Sequence, residues 1–346
     1  MKAVSEEHMA IGQPTIYDVA KKAKVSTATV SRVLNAPSLV QLETRRRVLG
    51  AIEELNFVPR ADAVAKARRQ YKRIGVIAPF FTEPSFMERL KGISRVLSSQ
   101  HYELVIYAVQ SSEELQGYLD MLCTSKRLDG LISLCMHLDA SLVEKLSLGD
   151  LPLCCVETSA EGCDAVVIDN QEGGRMAARF LYACGCRIPG FIGEKSTLHF
   201  TVHSTEERLE GYTAYFKEKS IGIEDSHLWL GENDRQLAAK AILAMLKHPQ
   251  RPDCIFTSSD TLAIQVIQCA AHLGITIPEE LNVVGFDDIE MARFVNLSTV
   301  DQRLVASGEM AAQTLLDRLR NPGRPVCTKV IELKLSERGS TAQHRP

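Results

Sequence analysis

The sequence has 346 residues, 45% hydrophobic and 24% charged, with ten cysteines and a formal net charge of −3. That composition suits a globular chain of two or three domains and excludes low-complexity and fibrous classes. No run of about 18 apolar residues occurs and the first residues lack an apolar signal core, so a cytoplasmic protein with reduced thiols is expected.

The charge is unevenly spread. Residues 1–73 carry 14 basic and 7 acidic side chains, a balance of +7, and the remainder carries −10. A basic head on an acidic body suggests that only the head meets a polyanion. In chain order, TIYDVAKKA reads as a short helix capped by Thr15, with Ile16, Val19, Ala20 and Ala23 on one face. Lys24 and Val25 break the pattern. Ser26 caps a second helix, TATVSRVLN, whose Val30, Val33 and Leu34 face inward. A third helix, about 43–55, sets Val48, Leu49, Ile52 and Leu55 against the other two. Two short helices joined by a tight turn form a helix-turn-helix, in which the start of the second helix enters the major groove of DNA. Thr27, Ala28, Thr29 and Ser31 occupy that start, with Arg32 one turn on. Small residues permit close approach, methyl groups meet thymine methyls, and arginine reaches guanine or phosphate.

From Arg73 onward, apolar strands such as RIGVIAPF, DGLISL, CIFTSS and NVVGFDD alternate with amphipathic helices. Such alternation argues for parallel sheets covered on both faces, here as two doubly wound lobes. No G-x-G-x-x-G follows a strand, and G-x-x-x-x-G-K-[ST], G-x-S-x-G and H-E-x-x-H are all missing. An enzyme is therefore not expected, nor is a cofactor. The CxC at Cys184 and Cys186 lacks a second ligand pair, so no metal is expected and buried thiols are. Ligands of open α/β sheets sit beyond the carboxyl ends of strands. This rule nominates 79–82, Glu157, Asp169, 258–260, Asp287 and Asp288.

TIYDVAKKAKVSTATVSRVLN, followed by LETRRRVLGAIEELNFVPR, resembles the headpiece of the LacI/GalR family of bacterial transcriptional repressors, and the similarity continues through the body. The resemblance implies a sequence-specific repressor with a helix-turn-helix headpiece (14–58), a hinge (59–72) and a type 1 periplasmic-binding-protein-like core. The core's first lobe is expected over 73–169 and 301–325, its second over 170–300 and 326–342. Tyr17, Ser26, Thr27, Ala28, Thr29, Ser31, Arg32 and Asn35 match DNA-contacting positions, with Thr27, Ala28 and Arg32 at the base-reading ones. The family usually has glycine where this chain has Lys24. In the hinge Arg60 replaces an asparagine and Lys66 falls where a leucine wedges into the minor groove, so less kinking and more reliance on phosphate charge are expected.

For the core, the resemblance implies a small effector, sugar-like, in the cleft between lobes. Arg208, in ERLEGY, matches an arginine that reaches ligand hydroxyls, and Asp287 matches a carboxylate that accepts from them. Glu157 takes a frequently acidic position. Asp260 either contacts the ligand or caps a helix. Phe80 and Phe81 either stack on a sugar ring or join the lobe core. Asn233, or its neighbour Asp234, aligns with an aromatic lid of some relatives, which disfavours a purine. Operator DNA, the effector and a second copy of the chain are the expected partners, at the nucleoid. The helix PSFMERLKGISRVL is the expected dimer face, although Met87, Leu90 and Ile93 also suit intramolecular packing.

Overall fold

The computed structural model describes residues 14–35, 39–55, 57, 71–125 and 127–342. The chain divides into two units, one ending at Tyr71 and the other starting at Lys72.

Among the described residues, the first unit contains three helices, α1 (Ile16–Ala23), α2 (Thr27–Asn35) and α3 (Leu42–Glu54). α1 starts with a capping box: the Thr15 backbone N–H donates to Asp18 Oδ2 at 2.8 Å, and the Thr15 side chain takes part in the cap. The turn after α1 is left-handed at Lys24, with φ 53°, a conformation that glycine adopts without steric cost and lysine does not. Val19, Ala20, Ala23, Val30, Val33, Val48 and Ala51 form the core, with Ile52 and Leu55 packed against it. Leu49, expected inside, is 45% exposed. Ala51 fills the inner face instead, because Val48, Ala51, Ile52 and Leu55 make the i, i+3, i+4, i+7 stripe and Leu49 falls off it.

The second unit has two sheets, parallel throughout except for the last strand of the chain, which pairs antiparallel at the edge of the second. In the first lobe lie β1 (Arg73–Ala78), α4 (Pro84–Ser99), β2 (Glu103–Ala108), α5 (Ser112–Ser125), β3 (Gly130–Leu134), α6 (Ala140–Leu148), β4 (Leu153–Val156) and β5 (Asp164–Val167). The chain then crosses to α7 (Asn170–Ala183), β6 (Pro189–Glu194), α8 (Ser204–Glu218), β7 (Leu228–Gly231), α9 (Arg235–Leu246), β8 (Cys254–Thr257), α10 (Asp260–His272), β9 (Asn282–Asp287), α11 (Glu290–Phe294) and β10 (Ser298–Asp301). It returns through α12 (Leu304–Arg320) and β11 (Thr328–Val330) to the first lobe, and ends in β12 (Lys334–Ser336) of the second. Strand orders are β11-β5-β4-β3-β1-β2 and β12-β10-β9-β8-β6-β7. β11 pairs in parallel with β5. The stretch through Val330, assigned from sequence to the second lobe, therefore belongs to the first, and the lobe change falls after β11. Three exposed or half-buried residues carry too little apolar pattern to reveal that partner.

Central strands are buried along their length apart from Arg73 at the start of β1, as both-face coverage requires. α4 and α12 pack in close contact because Gly92 and Gly308 carry no Cβ. One would collide with the carbonyl of Val305 at the first site and of Arg89 at the second. Leu90 and Ile93 are buried in the first-lobe core, while Met87 is 46% exposed. No helix among the described residues is long and apolar enough to cross a membrane.

Candidate functional site

In the first unit the start of α2 is presented at the surface. Ser26 caps it, its Oγ accepting from the Thr29 N–H at 3.1 Å, and the two hydroxyls are 2.9 Å apart. Capping thus fixes both hydroxyls at the helix N-terminus, where backbone N–H groups and the helix dipole favour an anion. Tyr17, Ala28 and Arg32 are exposed, and Thr27, Thr29 and Ser31 are half-buried. Asn35 ends α2, but its side chain lies outside the described residues, as do Arg60 and Lys66.

In the second unit a cleft between the lobes is lined by residues from both, with a cavity volume of about 170 Å³. Of the residues singled out in the sequence, Phe80, Glu157, Arg208, Asn233 and Asp287 line it, as do Ser258 and Ser259. Phe81 and Asp260 do not. Phe81, like Phe80, packs against the first-lobe core, but only Phe80 also reaches the cleft. Asp260 is fully buried beneath the cleft floor. Its carboxylate accepts from Thr299 Oγ1 at 2.5 Å and from the Ile289 N–H at 2.9 Å. Ser259, not Asp260, caps α10. Asp260 is a structural tie between α10, β10 and the loop before α11, and a Cβ at Gly285 would strike it. Asp169 caps α7.

The centre of the cleft is a chain of buried polar groups running from one lobe to the other. Arg89, on α4, is 2% exposed. Its Nη2 donates to Glu157 and, at 2.7 Å, to Gln302 Oε1. Its Nη1 faces Cys135 Sγ at 3.4 Å, and its Nε faces Ser307 Oγ at 3.3 Å. Gln302 in turn donates to Asp287. Glu157 and Asp287, two of the carboxylates expected from sequence, are therefore joined through Arg89 and Gln302, which were not expected. Arg89 was legible as an anomaly: a charge on the Phe86, Leu90, Ile93 stripe, where an apolar residue belongs. Gln302 carried no such signal.

Arg208 is held by its second-lobe neighbours. Its Nε donates to Asn170 Oδ1 at 2.9 Å, its Nη1 to the Ser258 carbonyl at 2.6 Å, and its guanidinium lies 3.7 Å from the Phe286 ring centroid. The glycine three residues on has a packing reason. A Cβ at Gly211 would strike the Gln171 carbonyl, and one at Gly174 the Arg208 carbonyl. The two glycines let α7 and α8 approach closely enough to aim Arg208 inward.

Burial pushes the Glu157 carboxyl up, but Arg89 and then Arg208 hold it below its ordinary value. Asp287 is raised to about 6, by burial and against the pull of Arg208. Glu194, at the cleft wall, is raised to about 7 by burial and by Glu83 across the cleft. Burial lowers Arg208 and raises the Cys135 thiol. Backbone strain gathers at the same place: Cys135, Glu157, Asp287 and Asp288 have φ of 56°, 64°, 119° and 55°. Non-glycine residues hold such angles only where their surroundings impose them, and this is common at ligand sites. The arrangement offers two guanidiniums, two carboxylates and several hydroxyls to a small polar molecule.

Away from the cleft, Cys186, Cys254 and Asp253 hold possible ligand atoms within 4.8 Å of one another. The Asp253 oxygens already accept from the N–H groups of Arg187 and Ile188 at 2.7 and 3.0 Å.

Comparison with known proteins gives two domain matches. Residues 15–60 match the family of bacterial regulatory proteins of the lacI type, and residues 178–341 match a periplasmic binding protein-like domain. The chain is 31% identical to the ribose operon repressor of Haemophilus influenzae, over 92% of this chain and 96% of that protein. It is 33% identical to the HTH-type transcriptional repressor PurR of Proteus mirabilis, over 95% of this chain and 97% of that one. Among solved structures it is similar to a transcriptional regulator CelR–cellobiose complex, with TM-score 0.67, 26% identity and coverage of 94% of this chain and 99% of that one.

Proposed function

This chain belongs to the LacI family of bacterial regulatory proteins and is a DNA-binding transcriptional regulator; we propose that it represses sugar-utilisation genes from the nucleoid, with operator affinity set by a small carbohydrate-like effector. The observation that carries the effector class is the polar chain Glu157–Arg89–Gln302–Asp287, with Arg208 beside it. Planar guanidiniums and carboxylates match the donors and acceptors of vicinal hydroxyls. The cleft volume is below the roughly 300–1,000 Å³ usual for drug-sized ligands, which favours a molecule the size of one sugar ring. The relatives named for ribose and for cellobiose support the same class.

Thr27, Ala28 and Arg32 read base edges, while Tyr17, Ser26, Thr29, Ser31 and Asn35 meet phosphates. Arg60 and Lys66 add phosphate contacts from the hinge. Phe80, Glu157, Arg208, Asn233 and Asp287 contact the effector. A homodimer formed through α4, with Met87 on its exposed side, sets two headpieces on a pseudo-palindrome. Effector that favours the DNA-incompetent state weakens operator binding, and operator then weakens effector binding by the same factor.

The test is selection of bound duplexes from a random pool at moderate salt, with and without D-ribose and cellobiose. A palindromic site lost or gained with sugar is expected. Arg32→Ala should abolish selective binding without unfolding the chain. Recovery of a palindrome indifferent to both sugars would move the effector to another class, and recovery of no preferred sequence would refute operator recognition.

A further inference from the structure

The segment between β6 and α8 does not stay with the lobe that supplies it. It leaves the second-lobe sheet at Lys195, whose N–H donates to the Gly231 carbonyl at 2.6 Å. It then reaches the first lobe. Phe200 is 8% exposed and belongs to the first-lobe core formed around Met136, Leu138, Leu146 and Cys155. Leu198 packs against the same cluster, and Val202 against the other first-lobe cluster. Thr201 forms an antiparallel bridge with Met136. The His137 N–H donates to the Phe200 carbonyl at 2.7 Å, and the Val202 N–H to the Cys135 carbonyl at 3.3 Å. Within the segment, Thr201 Oγ1 donates to the Leu198 carbonyl at 2.8 Å, which holds the turn that presents Phe200. Lys195, Ser196, Thr201 and Val202 also line the cleft.

A phenyl ring in the neighbouring lobe's core is a different attachment from a hinge. The three crossover segments let the lobes rotate, whereas Phe200 must leave apolar surroundings before they part on this side. We propose that residues 195–203 form an interlobe strap, anchored by Phe200, that holds this wall of the cleft closed around its occupant. Phe200 is then a positioning residue. It touches no effector but fixes Thr201 and Val202, which face the cleft. The proposal rests on the effector reading only for what the strap encloses.

Hydrogen–deuterium exchange of the full chain without sugar tests it, comparing wild type, Phe200→Ala and Phe200→Leu. The His137 and Val202 amides should be protected in wild type. They should exchange about tenfold faster or more in Phe200→Ala, with β1, β3, β6 and β8 unchanged. Phe200→Leu, which keeps an apolar anchor, should stay near wild type. Wild-type exchange at both amides in Phe200→Ala would overturn the strap. So would acceleration spread evenly over both sheets, which would make Phe200 a stability residue alone. Absence of any sugar response, by contrast, would count against the effector reading and leave these rates as they are.

Discussion

Asp287 and Glu157 are both buried carboxylates in one cleft, yet their environments pull them apart. Arg89 pairs with Glu157 directly and keeps it ionised. Asp287 receives only an uncharged donor, Gln302, and burial lifts it to about 6. A raised carboxyl stabilises the fold in acid, and that contribution is lost as pH climbs from the unfolded value near 4 through about 6. Asp287→Asn should therefore raise stability at pH 7 by about 2 kcal/mol and flatten its pH dependence across that window. Urea unfolding of both chains at pH 4.5 and 7, taken as about the two ends of the window, checks this; an Asp287→Asn chain less stable than wild type at pH 7 would contradict it. The same variant should lose effector response, as residues tuned for a ligand commonly cost stability. Arg89→Met leaves Glu157 buried and unpaired, with an expected loss of about 3–5 kcal/mol at neutral pH. Adding Glu157→Gln should restore part of it, and a double-mutant cycle showing simple additivity would deny the pairing.

At the scale of elements, glycine placement decides which helices touch. A Cβ at Gly92 would meet the backbone of α12, whereas one at Gly117, in α5, would meet nothing within 4 Å. Gly92→Ala should destabilise by about 1–3 kcal/mol or more, since backbone cannot yield as a side chain does. Gly117→Ala should stabilise by up to about 1 kcal/mol through helix propensity and a stiffer unfolded chain. Denaturation midpoints moving in the same direction for both would refute the packing account. The contrast was not legible in sequence, where both positions read as glycine inside a helix. The helices themselves were legible, because their apolar spacing, the Thr15 cap and the Pro84 start are local signals.

The whole molecule separates two tasks by charge. On the proposed operator reading, the +7 over residues 1–73 faces DNA, and the −10 of the remainder disfavours contact elsewhere. Operator binding should accordingly fall steeply with salt, by about 10³ to 10⁵ between about 50 and 200 mM if about six to ten phosphates are neutralised. A nearly flat log–log plot from filter binding or anisotropy would mean that the basic head makes few phosphate contacts.

Periodicity and capping residues are carried by neighbours in the chain, so the three-helix head, the alternating strands and helices, and the placing of Glu157 and Asp287 near strand ends could be read without coordinates, whereas Arg208, inside α8, was indicated only by the family resemblance. Contacts between distant segments could not. Asp260 and Asp287 each end or follow an apolar strand; the sequence left Asp260 open between ligand contact and helix cap, and only packing put it under the floor while Asp287 lines the cleft. β11 was too short to announce its partner. The joining of Glu157 to Asp287 through Arg89 and Gln302 spans more than 200 residues of sequence at its widest, and Phe200 entered the opposite lobe's core. Such pairings follow from where the three crossovers bring the lobes together, which no local pattern encodes.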